Sequence, residues 1–437
     1  MNIDDHDVAL AHSLGLQAFV YGFATVELYR VFWNEAVDPD RGHHDGVNQF
    51  HHVRDVATPS DTFIPSPNND TLYSTAWLDL TAEPIVLSIP PIPDRCYWFP
   101  VGDFFHDIVT TLDWRSIGAG GGDVALVGPS WSGALPDGLD RVDISTPMAW
   151  ILARTLTDGT DDDVEQVNRI QDRFDLTPLS AWSATPAPDT SIDYPDPALE
   201  SDPIHHFAVL DDLLRRNPPR PADTGLVSTL GHIGIGRTTP FDASTLSTAS
   251  AEALRHAEGV GRALLHARSS ASRRTINGWS PVLLTGTFGT RYLYRAAFEF
   301  LGLLHGDDMM QAAFSSFVDA DEERYDGAHR YELRFDTPPP ADACWSLTMY
   351  DDERFLLVDN EIDRYSIGDR TPGLRFDPDG SLTVVLQHER PAGDDVANWL
   401  PTPSGGFYIS IRAFNPTTEL REGRWQPPPV HRVDAVT

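Results

Sequence analysis

The run Pro67-Asn68-Asn69-Asp70-Thr71-Leu72-Tyr73-Ser74 places two carboxamides, a carboxylate and a phenol close together at the start of what reads as a strand. Asx side chains favour turns because they bond the backbone two residues on, so one reading of Asn68 and Asn69 is a structural turn. The chemical reading uses Asn68 and Asn69 to hold a polar substrate, Asp70 as general base and Tyr73 as proton donor. Further on, Arg95, Tyr97, Phe99 and Val101 alternate as one strand face would, and Asp103 and His106 follow. A histidine with a nearby carboxylate is the commonest acid–base arrangement, which makes His106 a second candidate proton donor. Arg95, Tyr97, Asp103 and Arg154 then become candidate substrate-binding groups. Near the C-terminus, Tyr350, Arg364, Asn398, Trp399 and Arg412, with Ser346 beside them in type, suit an aromatic-walled pocket for a carboxylate, sugar or polyol. The plainer alternative there is an aromatic core whose arginines pair with local acids.

Other patterns carry less. The pairs His43-His44, His51-His52 and His205-His206 lack the fixed helical step of metal ligands, so no metal residue is predicted and a metal enzyme stays a second alternative. Neither an HExxH run nor a GxSxG nucleophile elbow occurs. Gly118, Gly120, Gly121 and Gly122 read as a turn between strands, not as a dinucleotide loop opening a helix. All 32 basic residues are arginines. Without lysine the chain cannot form a lysine Schiff base or a Walker-type phosphate loop, and no organic cofactor is predicted. Cys96 and Cys344 both lie beside aromatic residues and read as buried free thiols.

These side chains must be positioned by a chain of 437 residues, 41% of them hydrophobic, enough for two or three cores. The formal charge of −33 argues against nucleic acid and anionic membranes as partners, and for solubility or a salty environment. A small-molecule substrate is the expected partner, and a homo-oligomer suits a chain of this size. The acidic N-terminus has no basic region ahead of an apolar run, and no uninterrupted apolar stretch of membrane length occurs, so a cytoplasmic location is expected.

Leu10, Leu14, Ala18, Tyr21, Val26 and Tyr29 predict a helix over 7–35. From 60 to 155, β-rich runs separated by Gly, Pro and Asp predict strands at 85–89, 96–101, 107–112, 124–127 and 149–156. Thr160 caps a helix with the stripe Val164, Val167, Ile170 and Phe174. Residues 183–203 read as a linker and Asp202-Pro203 as the start of a helix over 204–216; further helices are expected over 248–269 and 289–318. Strands are expected at 331–335, 345–350, 355–358, 382–387 and 407–414. In the last, Phe407, Ile409, Ile411 and Ala413 face one way and Tyr408, Ser410, Arg412 and Phe414 the other. The fold class is therefore mainly β with helical decoration (α+β). Residues 1–185 form an N-terminal helix and first sandwich, 186–325 a linker and helical segment, and 326–437 a second sandwich.

The 67–74 run, with Trp77-Leu78-Asp79-Leu80, Glu83-Pro84, Arg95-Cys96-Tyr97-Trp98, Gly128-Pro129-Ser130-Trp131 and Arg154-Thr155, resembles the domain of unknown function numbered 1254. Trp345-Ser346-Leu347-Thr348-Met349-Tyr350, Arg364-Tyr365-Ser366-Ile367, Asp379-Gly380-Ser381-Leu382, Asn398-Trp399-Leu400-Pro401, Arg412 and Gly423-Arg424-Trp425 resemble its partner, the domain numbered 1214. The resemblance runs from about residue 10 to 433 and implies two β-sandwich or jelly-roll-like domains with helical decoration; it implies no particular reaction. The expected function is a small-molecule enzyme without an organic redox cofactor, a hydrolase, lyase or isomerase working by acid–base chemistry on a polar or anionic substrate. The alternative is a non-catalytic carbohydrate- or protein-binding sandwich protein.

Overall fold

Period-two alternation builds both β modules, because each strand buries one face and leaves the other for something else to cover. The structure, a computed structural model, describes residues 3–40, 45–62, 65–190, 192–270, 275–282, 286–302 and 304–433.

The first sandwich has a five-stranded sheet, in the order β1 (Phe50–His52), β2 (Thr71–Asp79), β8 (Met148–Leu156), β4 (Tyr97–Asp103) and β5 (Ile108–Asp113). It faces β7 (Asp140–Asp143), β6 (Gly122–Val127), β3 (Ile85–Ile89) and β9 (Asp175–Pro178). Between the two sheets lie Leu78, Tyr97, Phe99, Val101, Ile151, Leu87 and Leu126. The second sandwich pairs β10 (Trp279–Val282), β11 (Gln311–Ser316), β17 (Phe407–Pro416), β13 (Ala341–Asp351) and β14 (Ser366–Gly368) with β16 (Trp399–Pro401), β15 (Leu382–Gln387), β12 (Arg330–Phe335) and β18 (Val430–Val433). Its core holds Leu347, Met349, Ile409, Ile411, Leu333 and Val384. Burying each such aliphatic side chain contributes about 1.5–3 kcal/mol.

The helices are α1 (Ile3–Phe32), α2 (Asp161–Gln171), α3 (Leu179–Trp182), α4 (His205–Arg216), α5 (Thr224–Leu230), α6 (Thr248–Ser270), α7 (Tyr292–Glu299) and α8 (Thr418–Arg421). Of the predicted stripe on α1, Leu10 is 41% exposed, whereas Ala18, Tyr21, Val26 and Tyr29 are buried along with Phe19, Phe23, Leu28 and Phe32. The helix is apolar on nearly every side because α4, α6 and α7 surround it. Its length and hydropathy match a membrane-spanning segment, and more than half of that segment is buried inside the protein. Trp77, Met148, Trp150 and Leu152, on the outer face of the first five-stranded sheet, join this helical core. Thr160 caps α2 by accepting from the Asp163 amide.

Three expectations need correcting. The helix expected over 289–318 is confined to α7; Gln311–Ser316 instead pairs antiparallel with β17. Here Ala313 and Phe314 are both buried, as in a strand covered on its two faces, and sheet pairing overrides the local helical preference of Met309 to Ala313. β10 and β11 both come from the segment expected to be linker and helix, so the second sandwich begins before residue 326. Residues 355–358 form no strand; Phe355 has φ 61, which breaks the extended path, and only a bridge from Leu357 to Tyr350 remains. The 183–203 linker is pinned near Tyr194, whose hydroxyl donates to Asp79 at 2.9 Å.

Gly368 sits opposite Ser346 in the β13–β14 pair. A Cβ there would lie 2.1 Å from the Trp345 carbonyl oxygen, which is backbone and cannot swing aside. Gly368→Ala is expected to lower the unfolding free energy by about 3 kcal/mol, read from urea titration, and to displace the loop that carries Arg370.

Candidate functional site

The polar face of the second five-stranded sheet, carrying Ser346, Thr348, Tyr350, Tyr408 and Arg412, is turned toward the first sandwich. Bonds across the seam show this directly. Ser346 Oγ donates to Asp70 Oδ2 at 2.6 Å, and Arg370 donates to Asp70 Oδ1 at 2.5 Å. Tyr350 donates to the Pro67 carbonyl at 2.7 Å, and Arg412 to the Ser66 carbonyl at 2.9 Å. Arg154 reaches Gln311 on β11 at 3.0 Å, and Trp98 Nε1 reaches Asn415 at 2.8 Å. Beside them Trp98, Met310, Cys344 and Phe414 make an apolar plug, with Cys96 packed against it.

The Asx turn sets the first half of the site. Asn68 Oδ1 accepts from the Asp70 amide at 2.6 Å, which fixes Asp70 at the mouth of β2. Asn68 Nδ2 then donates to the Tyr73 hydroxyl oxygen at 2.5 Å, so the phenol's own proton remains for another acceptor. The turn is structural, and its bonds fix the positions of both Asp70 and Tyr73. Tyr73 and Arg154 are direct cross-strand partners on β2 and β8, and the guanidinium lies 4.9 Å from the phenol ring centre. Arg154 Nε is buried with no hydrogen-bond partner. Asn69 contributes a buried Oδ1 that is also without a partner.

Three guanidinium groups, Arg154, Arg370 and Arg412, lie within electrostatic reach of the one buried carboxylate, Asp70; the exposed Asp369 is a second acid near Arg370. Burial pulls the Arg154 pKa below its ordinary value, and Arg412 nearby pulls the same way. Burial also opposes the charge on Arg412, but Tyr350 and Asp70 outweigh it and hold that group above the usual arginine range. In a chain of formal charge −33, this seam concentrates positive charge where water is scarce.

Sequence reasoning grouped His106 with this set, and the structure separates them. His106 is fully buried, with Nε2 2.8 Å from Glu299 and its ring stacked on Phe288 at 5.6 Å. It belongs with Trp150 and His305 at the helical layer, because the turn after β4 carries Phe104 and Phe105 into the helical core. Asp103 holds that turn, accepting from the amides of Phe105 and Asp107 and from Ser145 Oγ. Tyr97 is a core residue whose hydroxyl meets the Gly118 carbonyl at 3.4 Å. Arg95 precedes β4, where it pairs with Asp163 and donates to the Leu156 carbonyl at 2.5 Å.

In the second sandwich, Tyr350 and Arg412 belong to the seam, whereas Arg364, Asn398 and Trp399 do not. Arg364 staples the carbonyls of Val396, Ala397 and Trp399, a role for a planar donor group in loop geometry. Asn398 bonds the backbone of Arg375 and Thr383, and Trp399 the Gln387 carbonyl. Sequence reasoning missed Arg370, Gln311 and Tyr408. Tyr408 was visible as a same-face neighbour of Arg412 on β17; Arg370, in a loop, gave no signal.

His43 and His44 lie outside the described residues. His51 pairs with Asp45 and His52 with Ser74 Oγ. Among the described residues, no group of three or more His, Cys, Asp or Glu side chains converges as metal ligands would.

Two β-sandwiches, clasped by an arginine-rich polar seam and braced by helices, define the class. Residues 47–178 match the family described as a protein of unknown function (DUF1254). Residues 310–418 match a second such family (DUF1214), and the chain belongs to the proteins that pair the two. It is similar in fold to the VPA0106 protein from Vibrio parahaemolyticus, with TM-score 0.76 and 24% identity, covering 97% of this chain and 100% of that one. An uncharacterized protein from Burkholderia cenocepacia aligns with TM-score 0.45 and 13% identity over 98% of this chain and 94% of that one. No curated protein matches.

Proposed function

We propose that this protein is a small-molecule enzyme working by acid–base chemistry, as a lyase, isomerase or hydrolase, on an anionic substrate held in the seam between the sandwiches. The carrying observation is Arg154, half-buried, stacked on Tyr73 and left with an unpartnered Nε donor beside Asp70 and Arg412. A guanidinium fixed by Gln311 on one side and by an aromatic ring on its face is preorganised to stabilise negative charge developing on a substrate oxygen. Tyr73 supplies a proton from a phenol oriented by Asn68. Asp70 serves as base, taking a proton from the carbon next to the bound carboxylate, while Tyr73 protonates the oxygen that leaves or receives the electron pair. Arg412 and Ser346 hold the surroundings of that exchange.

The test is solvent exchange. Hydroxy- and keto-carboxylates are incubated with the protein in D₂O, and loss of the carbon-bound proton is followed by NMR. Exchange or turnover is expected, with Tyr73→Phe reducing it about 10²-fold or more and Arg154→Gln about 10²-fold. One observation favours a second reading, a ligand-binding protein without chemistry: both Asp70 oxygens are already engaged. Binding lost in Arg154→Gln, with no exchange by the parent protein for any compound, would establish that reading instead.

A further inference from the structure

A cleft of about 440 Å³ opens at the seam, lined by Ile92, Arg95, Cys96, Trp114, Leu156 and Arg370. Its size is in the range that holds a small organic molecule. The cleft's two arginines are not equivalent. Arg95 is committed to Asp163 and the Leu156 carbonyl. Arg370 spans the seam: one amino group meets the Thr157 carbonyl and the other meets Asp70, while its side chain keeps 26% exposure against 3% for Asp70. The charge an incoming ligand meets is therefore Arg370, and its present partner is the chain's own carboxylate. Trp114 lines the cleft, and its indole N–H is buried without a partner. Ile92 and Leu156 make an apolar wall. At the rim, Asp94 and Asp158 are exposed and repel ligands of high negative charge.

We infer that this cleft takes a small monocarboxylate with an apolar body, and that the ligand's carboxylate displaces Asp70 from Arg370. The inference rests on the reading of the seam given above and deepens it by naming the substrate class. It also removes that reading's difficulty. Asp70, engaged by Arg370, is released as a base only when a ligand carboxylate takes its place on that guanidinium. Ser346 stays bonded to Asp70 and keeps it in position. Monoanions are selected because one guanidinium matches one carboxylate bidentately, and the acidic rim disfavours a dianion.

Isothermal titration with 2-naphthoate as the probe tests this. Binding to the parent protein is expected, with neutral 2-naphthylmethanol and dianionic 2-naphthyl phosphate weaker by about tenfold or more. Competition predicts opposite signs for the two partners of the ion pair. Asp70→Asn, which removes the competitor, tightens 2-naphthoate about three- to tenfold, and Arg370→Gln weakens it about tenfold or more. Leu156→Trp, which fills the cleft without touching the ion pair, abolishes binding and covers the case in which Arg370→Gln does not fold. Unchanged or weakened binding in Asp70→Asn, or unchanged binding in Leu156→Trp, overturns the inference. Failures remain separable. Solvent exchange that depends on Arg154, with 2-naphthoate indifferent to these variants, sinks the cleft alone. The predicted probe binding with no exchange of any compound sinks the chemistry alone.

Discussion

Arg412→Met should lower the unfolding free energy by about 3–5 kcal/mol, the usual cost of removing one partner from a buried polar network. Arg412 is 8% exposed and lies at the centre of the seam. It donates to Tyr350 at 2.7 Å and to the Ser66 carbonyl at 2.9 Å, with its guanidinium 5.6 Å from the Tyr350 ring centre. Methionine fills much of the volume but satisfies neither oxygen. Charge-assisted bonds contribute about 1.5–3 kcal/mol each, so two lost bonds account for the range. Arg412→Lys keeps the charge but not the planar fork that spans both acceptors, and should fall between. Because the seam joins the sandwiches, urea titration of Arg412→Met should also resolve two transitions in place of one. A loss below about 1 kcal/mol would mean that the apolar plug of Trp98, Cys344 and Phe414 holds the modules together by itself.

Acid should destabilise the protein in two stages. His206 is buried with neither ring nitrogen bonded and its ring 4.7 Å from Phe19; burial, with Arg262 adding, lowers its pKa to about 3. Burial, with His106 adding, likewise lowers His305 to about 3, and burial with Arg54 lowers His52 to about 4. Below about pH 6.5 the unfolded chain protonates all three and the folded protein does not, so each withdraws about 1.4 kcal/mol per pH unit as pH falls. Glu299 and Asp103 act oppositely. Burial raises both, so above their unfolded values near pH 4 the folded protein holds protons that the unfolded chain has lost. As pH falls from 6.5 toward 4.5 the three histidines withdraw stability and the two raised carboxyls oppose that loss. Below that the two carboxyls stop compensating. Asp163, held at about 2 chiefly by Arg95, and Asp202, held at about 2 chiefly by Arg255, then add to the loss and the fall steepens. His206→Leu removes one histidine from the sum and should flatten the curve between pH 6.5 and 4.5. Urea titrations at pH 7, 6, 5 and 4 measure this; parallel curves for parent and variant would contradict it.

The local pattern carried much of the architecture. Strict alternation in 407–414 placed Arg412 and Tyr408 on the face opposite the core, and that face became the seam. The Asx turn at Asn68 identified the mouth of β2, where Asp70 and Tyr73 are held. Both features are short-range: period two and a side chain bonding its near backbone need no knowledge of the rest of the chain. The motif resemblance likewise reached the pairing of the two modules.

What remained hidden was every relation between distant residues. Asp70 and Arg370 are separated by 300 positions, and Asp70 and Ser346 by 276. No periodicity links them, because their meeting depends on how the two sandwiches dock. The same reason misplaced His106, which is near Asp103 in sequence but is carried by a turn into the helical core and meets Glu299. It also misassigned Gln311–Ser316, whose strand exists because β17 offers it hydrogen-bond partners. The sequence by itself determined the modules, their buried faces and the polar residues at strand ends, since each follows from neighbours a few positions apart. The tertiary structure alone decided which of those polar residues share a site, since a charge pair across a seam is fixed by docking geometry and by the cost of leaving any buried charge unpaired.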